Sequence, residues 1–487
     1  MYNIPNMGSE MKSKKQTYFD LIESPINSPN EEAQIAILKS KEKRIDDDFA
    51  DFLRKWATKI IAEKKIRQAR DIIINILNFS NLIQEFPLGS KSSNMEIAIA
   101  GYEVGMKIFN RYDDPENWAA TQNNLATAYS KRIKGERQDN IEKEIAFYEA
   151  ALQVYSRPAF PQQWAGTQNN LALAYTDRIK GERGENIEKA IAFYVAALQV
   201  YTRDAFPHDW ALTQNNLAIA YYSRIRGDRG DNLERAIAFY EAALQVRTRD
   251  AFPQDWALTQ NNLALAYSDR IQGDRVENIE RAIKCQKRAL EVYTPTTLPR
   301  ECLRSGQNLG NLGFAESFWE TAIFGYEKAI EAVEQTREWV TSQNRKRQII
   351  EENLDIYEKM MISCIIHQQY DKALQTIERS KSRYLVELFT NSEIYPKKAT
   401  ETEKQQLQNL RRQIAASQQL LETETPSPSP LSPPLTKGRP GGVPEDSPSQ
   451  PTTQTRSLSP EYFQQEKAKL ETTSQQLTQL LEQIKQR

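Results

Sequence analysis

The sequence predicts an all-α solenoid of stacked helix pairs, and three observations carry that expectation. Trp118, Trp164, Trp210 and Trp256 stand 46 residues apart, and each is followed by T-Q-N-N starting at Thr121, Thr167, Thr213 and Thr259. A fixed period of this size marks units that bury an apolar face only by stacking on their neighbours. Inside a unit the apolar residues recur at helical spacing, as at Leu217, Ala218 and Tyr221 and again at Ile237, Tyr240, Ala243 and Leu244. Glycine and proline punctuate the units where helices should stop and restart, at Gly227 and Pro253 in the third.

The elements follow in order. Residues 1–47 read as a partly disordered leader whose start, MYNIPNMGSEMKSKKQ, lacks the apolar core of a secretory signal. Residues 48–115 read as divergent N-terminal helices and a half repeat, with MEIAIAGYEVGMKIF (95–109) as its second helix. Four extended units occupy 116–299. In the third, Gly227 is expected to stop the first helix and the Asn232 side chain to cap the second. Residues 300–398 read as helices of ordinary repeat length, carried by Leu309, Gly310, Ala322, Tyr326 and Ala329, with a last one at Tyr370, Ala373 and Ile377. A helix over 399–422 (Leu407, Leu410, Ile414, Leu421) and one over 459–487 (Leu470, Leu477, Leu480, Ile484) flank 423–458. That segment is too rich in proline and serine to bury a core and is expected to be a disordered loop joining an antiparallel helix pair.

These residues match the tetratricopeptide signature. Its leucine, small residue and tyrosine correspond to Leu217, Ala218 and Tyr221, and its alanine, aromatic and alanine to Ala236, Tyr240 and Ala243. The expected fold is therefore a right-handed tetratricopeptide α-solenoid with extended 46-residue repeats, against about 34 in the standard unit. Six of the added residues are placed in a longer first helix and the R-I-R-G-D-R-G-D-N turn, six in the loop through Arg249 to Trp256. Gln214 replaces the signature tryptophan, with Trp210 one turn earlier.

The wording of the units is more specific. W-A-L-T-Q-N-N-L-A-x-A-Y, R-G-D-R-x-x-N-x-E-x-A-I and A-F-P-Q-D-W resemble the repeat arrays of cyanobacterial proteins that join tetratricopeptides to a caspase-like CHAT protease domain. YDKALQTIERSKSRYLVELF (370–389) resembles the connector before that protease, and YFDLIESPINSPNEEAQIAIL with FADFLRKWA resembles its leader. The sequence ends at Arg487, about where the protease would begin, so the family's catalytic residues have no positions to fall on. The resemblance implies a regulatory half of a split protease, whose catalytic domain is a separate chain, or a remnant that lost it.

Composition narrows the function classes. A net charge of −1 and 39% hydrophobic residues give no global reason to expect nucleic acid or an anionic membrane. No run approaches a membrane span of about 18 apolar residues, and three cysteines without ligand spacing suit a reducing compartment. The expectation is a cytoplasmic, non-enzymatic chain with no cofactor and no metal. Only two histidines are present: His208 stands in an inter-unit loop, and His367 lies three residues after Cys364 on one helix. That pair lacks the oxyanion donors of a cysteine protease, and Cys364 is expected to be packing.

The partner-facing positions are counted from the signature leucine. Asn123, Asn169, Asn215 and Asn261 are expected to form an amide ladder that grips a peptide backbone, since a carboxamide both donates and accepts. Leu173, Ile219 and Leu265, with Leu212, Leu258 and Tyr222, would supply apolar pockets, and Thr127 holds the first-unit position. The alternative is that the asparagines fix the angle between units. Asn124, Asn170, Asn216 and Asn262 point nearer the helix seam. The tryptophans are expected to pack with Phe160, Phe206 and Phe252 under the inter-unit loops. Arg132, Arg178 and Arg224, with Lys134, Lys180 and Arg226, read as a solvated, ion-paired edge rather than a phosphate site, because Glu136, Glu182 and Asp228 interrupt them.

Overall fold

The computed structural model describes residues 16–22, 30–379 except 341, 400–406, and scattered positions beyond. The described residues are helical, without strands, and form two compact units, the first running to Ile225 and the second starting at Arg226. Leu407, Ile414, Leu421, Leu470, Leu477 and Ile484, the loop 423–458 and the end of the connector-like segment lie outside the described residues.

The first unit opens with α1 (Glu31–Ser40), α2 (Asp47–Glu63), α3 (Ile66–Glu85) and α4 (Lys91–Gly105). Tyr18 stacks on Phe49 with ring centroids 4.5 Å apart, and Phe19, Phe52 and Trp56 extend that aromatic cluster. Three first helices follow: α5 (Pro115–Lys131), α7 (Pro161–Asp177) and α9 (Pro207–Tyr222), with second helices α6 (Arg137–Ala151) and α8 (Arg183–Ala197) between them. From α2 to α9 each helix packs on its sequence neighbours within this unit, and α7 also touches α9, the next first helix.

Local chemistry sets the boundaries. Every first helix starts on a proline, whose fixed φ and missing N–H suit the first turn. Each ends before a turn that requires φ of +79° at Gly135 and +81° at Gly181. Asn140 and Asn186 donate back to the carbonyls of Lys134 and Lys180, both at 2.9 Å, which closes the turn.

The second unit repeats the plan with α10 (Arg229–Leu244), α11 (Pro253–Asp269), α12 (Arg275–Leu290), α13 (Pro299–Ala315), α14 (Trp319–Trp339), α15 (Gln343–Glu351) and α16 (Leu354–Ile366). Here the structure corrects one expectation. Asn232 does not cap the second helix; Asp228 does, accepting from the Asp231 amide at 2.9 Å, and α10 starts three residues before Asn232. Asn232 instead donates to Arg226 O at 2.9 Å. The aspartate, three residues ahead of the Asp231 amide, takes the N-terminal N–H groups before the later amide can reach them. The α13–α14 pair packs backbone against backbone: a Cβ at Gly325 would lie 2.3 Å from Gly310 N, and one at Gly306 2.8 Å from Ala329 N.

Candidate functional site

The first helices carry the residues that the repeat singles out, and their depth differs sharply. Asn123, Asn169, Asn215 and Asn261 are 1–3% exposed. Thr167 Oγ1 lies 3.0 Å from Asn123 Oδ1, and Thr213 Oγ1 lies 3.2 Å from Asn169 Oδ1. In the second unit Ser305 plays the threonine's part toward Asn261 at 2.9 Å. Asn123, Asn169 and Asn261 thus each stitch one first helix to the next, with the side-chain oxygen committed inside the seam, and all four first asparagines are buried rather than open on the surface. The reason is proximity: small residues beside it, Ala126, Ala172 and Ala218, are 0% exposed and let neighbouring helices close over the amide.

The ladder is not saturated. Asn123 Nδ2, Asn170 Nδ2 and Asn216 Nδ2 lack a hydrogen-bond partner, as do Oε1 of Gln122, Gln168, Gln214 and Gln260. Asn124 differs, donating to Asn81 Oδ1 at 2.9 Å. Beside these amides, Leu173, Leu212, Ile219 and Tyr222 of the first unit are half-buried, as are Leu258 and Leu265 of the second. Thr127 is buried, its hydroxyl 3.0 Å from Tyr148 OH. Of the predicted partner-facing set, the apolar members stay accessible and the asparagines do not.

Couplings between successive pairs run through an arginine at the end of each first helix. Arg178 donates Nε and Nη2 to Glu142 at 2.8 and 2.7 Å, while Arg132 and Arg224 grip Glu96 and Glu188 in the same bidentate way. In the second unit Arg270 grips Glu234. Each acceptor sits 36 residues earlier on the preceding second helix. Each guanidinium also covers the signature tyrosine, Arg178 lying 5.4 Å from the Tyr175 ring centroid. The hydrogen-bonded guanidinium holds the Glu142 carboxyl below its ordinary range. The arginine row is ion-paired, but half-buried and structural rather than a solvated edge. Sequence reading missed these glutamates, although Glu96, Glu142, Glu188 and Glu234 recur at the 46-residue period.

Two buried ionisable side chains break the repeat. Glu144, 2% exposed, replaces the alanine found at 190, 236 and 282. Burial pushes its carboxyl up to about 8, against the Ser130 hydroxyl and Arg137, which pull it down. Arg247, 1% exposed, stands where Tyr155, Tyr201 and Tyr293 stand in other repeats. It donates to Thr259 Oγ1 at 3.1 Å and lies 3.5 Å from Asp255 Oδ1, while burial lowers its basicity.

The tryptophans pack as expected in the first unit: Trp118, Phe160 and Trp164 around Ala119, Ala151 and Tyr155, then Trp164, Phe206 and Trp210 around Tyr201. Tyr155 and Tyr201 are the cluster's centre and were not foreseen. Cys364 lies in the core with its thiol pushed up by burial, the opposite of thiolate activation. His367 lies 3.5 Å from Glu320, and His208 3.8 Å from Asp209. Among the described residues no cluster of three His, Cys, Asp or Glu side chains is placed to hold a metal, and no helix is long and apolar enough to cross a membrane.

No protein-family model and no curated protein matches the chain. Among solved structures it is similar to BtubC (BKLC) from P. vanneervenii, at 16% identity, 63% of this chain, 96% of that chain and a TM-score of 0.28. A signal transduction ATPase (STAND) protein with a tetratricopeptide repeat sensor from Pyrococcus horikoshii gives 12%, 79%, 54% and 0.39. A monomeric mutant of IFIT1 with Gppp-AAAA gives 14%, 77%, 86% and 0.34. Likeness at these TM-scores carries no argument, and the fold stands on the repeated helix pairs themselves.

Proposed function

We propose that this chain is a non-catalytic interaction scaffold that takes a peptide or protein segment along the row of first helices. One observation carries the reading: Leu173 and Ile219, one period apart, and Leu212 one helix turn earlier on α9 stay half-exposed while the amide row beside them in the sequence is buried. Accessible apolar side chains recurring along a row of helices suit a chain segment that brings apolar side chains of its own. The asparagines act as a floor that fixes the helix spacing; the leucine and isoleucine positions meet the ligand.

Site-specific photocrosslinking tests this. A benzoylphenylalanine placed at Ile219 or Leu173 should trap the same protein from source-cell lysate, and one at exposed Lys189 should not. Adducts that are the same at all three positions, or absent at the first two, overturn the reading. The resemblance to CHAT-linked arrays makes a separate caspase-like protease chain the partner to look for first. Its recovery in the Ile219 adduct supports the split-protease reading; a different partner leaves a free-standing adaptor.

A further inference from the structure

We infer that the turn after each first helix presents a second docking strip, made by Ile133, Ile179 and Ile225 of the first unit, for an amphipathic helix with an apolar residue at every seventh position. The three isoleucines are 60%, 57% and 65% exposed, at one repeat position. Single exposed aliphatics need no explanation; a row of them at one repeat position does. The turns that hold them are firmly built. The arginine before each isoleucine grips a glutamate of the preceding helix pair. Where the turn completes within this unit, a glycine at positive φ and an asparagine bonded to the turn carbonyl lock the residues after the isoleucine. A strip on a fixed frame loses little freedom when it is covered.

Geometry selects the occupant. The Thr167–Asn123 and Thr213–Asn169 contacts put α5, α7 and α9 side by side, and packed helices sit about 8–10 Å apart. Seven residues of α-helix rise about 10.5 Å, so every seventh side chain meets the next isoleucine. An extended strand repeats a face every ~6.6 Å and falls out of step. A polyproline rod repeats at about 9.3 Å. It is thinner than a helix, and the turns carry charge of both signs beside the strip: Lys134 and Lys180 one residue after the isoleucines, Glu136 and Glu182 three after, all exposed. A helix about 10 Å across reaches both rows, with acidic groups facing the lysines and basic groups facing the glutamates. The three side chains together expose roughly 300 Å² of apolar surface, short of the ~800 Å² per partner of a stable protein pair. That favours one helix over a second copy of the chain.

The test uses the full chain and a fluorescein-labelled 24-residue helical peptide with leucine at every seventh position, glutamate along one flank and lysine along the other. Fluorescence anisotropy should show saturable binding, weakened at least ten-fold by Ile179→Asp and measurably by the milder Ile179→Ser. Val195→Asp, at an exposed position of α8, should leave it unchanged, with circular dichroism reporting the fold of each variant. The inference is overturned if binding does not saturate, or if both Ile179 variants bind like the parent. It is equally overturned if a proline-rich peptide with leucine at every third position binds as well. A parent that sediments as a dimer and an Ile179→Asp variant that sediments as a monomer would assign the strip to a second copy instead. Loss of crosslinking at Ile219 leaves this result untouched, so the two readings fail separately.

Discussion

Replacing Glu144 by alanine is expected to change the pH dependence of stability more than any other single substitution in the first unit. The carboxyl is 2% exposed and burial raises it to about 8 from 4.5; Asp177 adds to the rise, and Ser130 and Arg137 counter it. The folded protein holds this group neutral, whereas the unfolded chain releases the proton once the pH passes 4.5. Stability from the neutral carboxyl is therefore complete below about 4.5, falls as the pH climbs to about 8, and then stays level. A gap of about 3.5 units at ~1.4 kcal/mol each sets a ceiling of about 5 kcal/mol. The assay is urea unfolding followed by tryptophan fluorescence, parent against Glu144→Ala, from pH 4.5 to 9. The parent should lose several kcal/mol relative to the variant across that range, and Glu144→Gln should behave like the variant. A parent-minus-variant difference that is flat with pH, or grows in the parent's favour, refutes the argument.

Further substitutions follow from the same packing. Asp255→Asn should destabilise by about 3–5 kcal/mol in chemical unfolding, because it leaves the Arg247 cation buried without its counter-charge. Arg247→Tyr, which restores the residue of the other repeats, should cost nothing or stabilise. A double-mutant cycle on Arg178→Ala and Glu142→Gln should give a coupling of about 1–2 kcal/mol, since the pair is bidentate yet a fifth to a quarter exposed. Gly325→Ala should lower the thermal midpoint by several degrees, corresponding to about 3 kcal/mol, because its Cβ meets the Gly310 backbone, which has no rotamer to yield.

The sequence made the helix pairs legible because period, proline and glycine are local signals. Trp118 with Phe160 and Trp164 was legible for a related reason: large aromatics at the edge of a helix seek the nearest loop. Depth was not legible. Periodicity places Asn169 on a face of α7, but whether that face is open depends on how closely α9 approaches, which small residues elsewhere decide. The start of α10 was missed because Asp228 and Asn232 are both good caps and only the three-dimensional path of the turn separates them. The acceptors of the arginine row lie 36 residues away, beyond any local pattern, though the recurrence of Glu96, Glu142 and Glu188 with the repeat was there to be read.

Because every arginine of that row meets a glutamate at the same offset, the joints are interchangeable. Excising residues 161–206, one whole period, would set Arg224 against Glu142 and Thr213 against Asn123, remaking the ion pair and the hydrogen bond of the lost joint. Array length in this fold is thus a free parameter of the gene: unequal recombination between repeats yields a shorter or longer chain whose seams already fit. Point changes within a joint have no such tolerance, since a lone guanidinium or carboxylate there would be left half-buried with nothing to answer it.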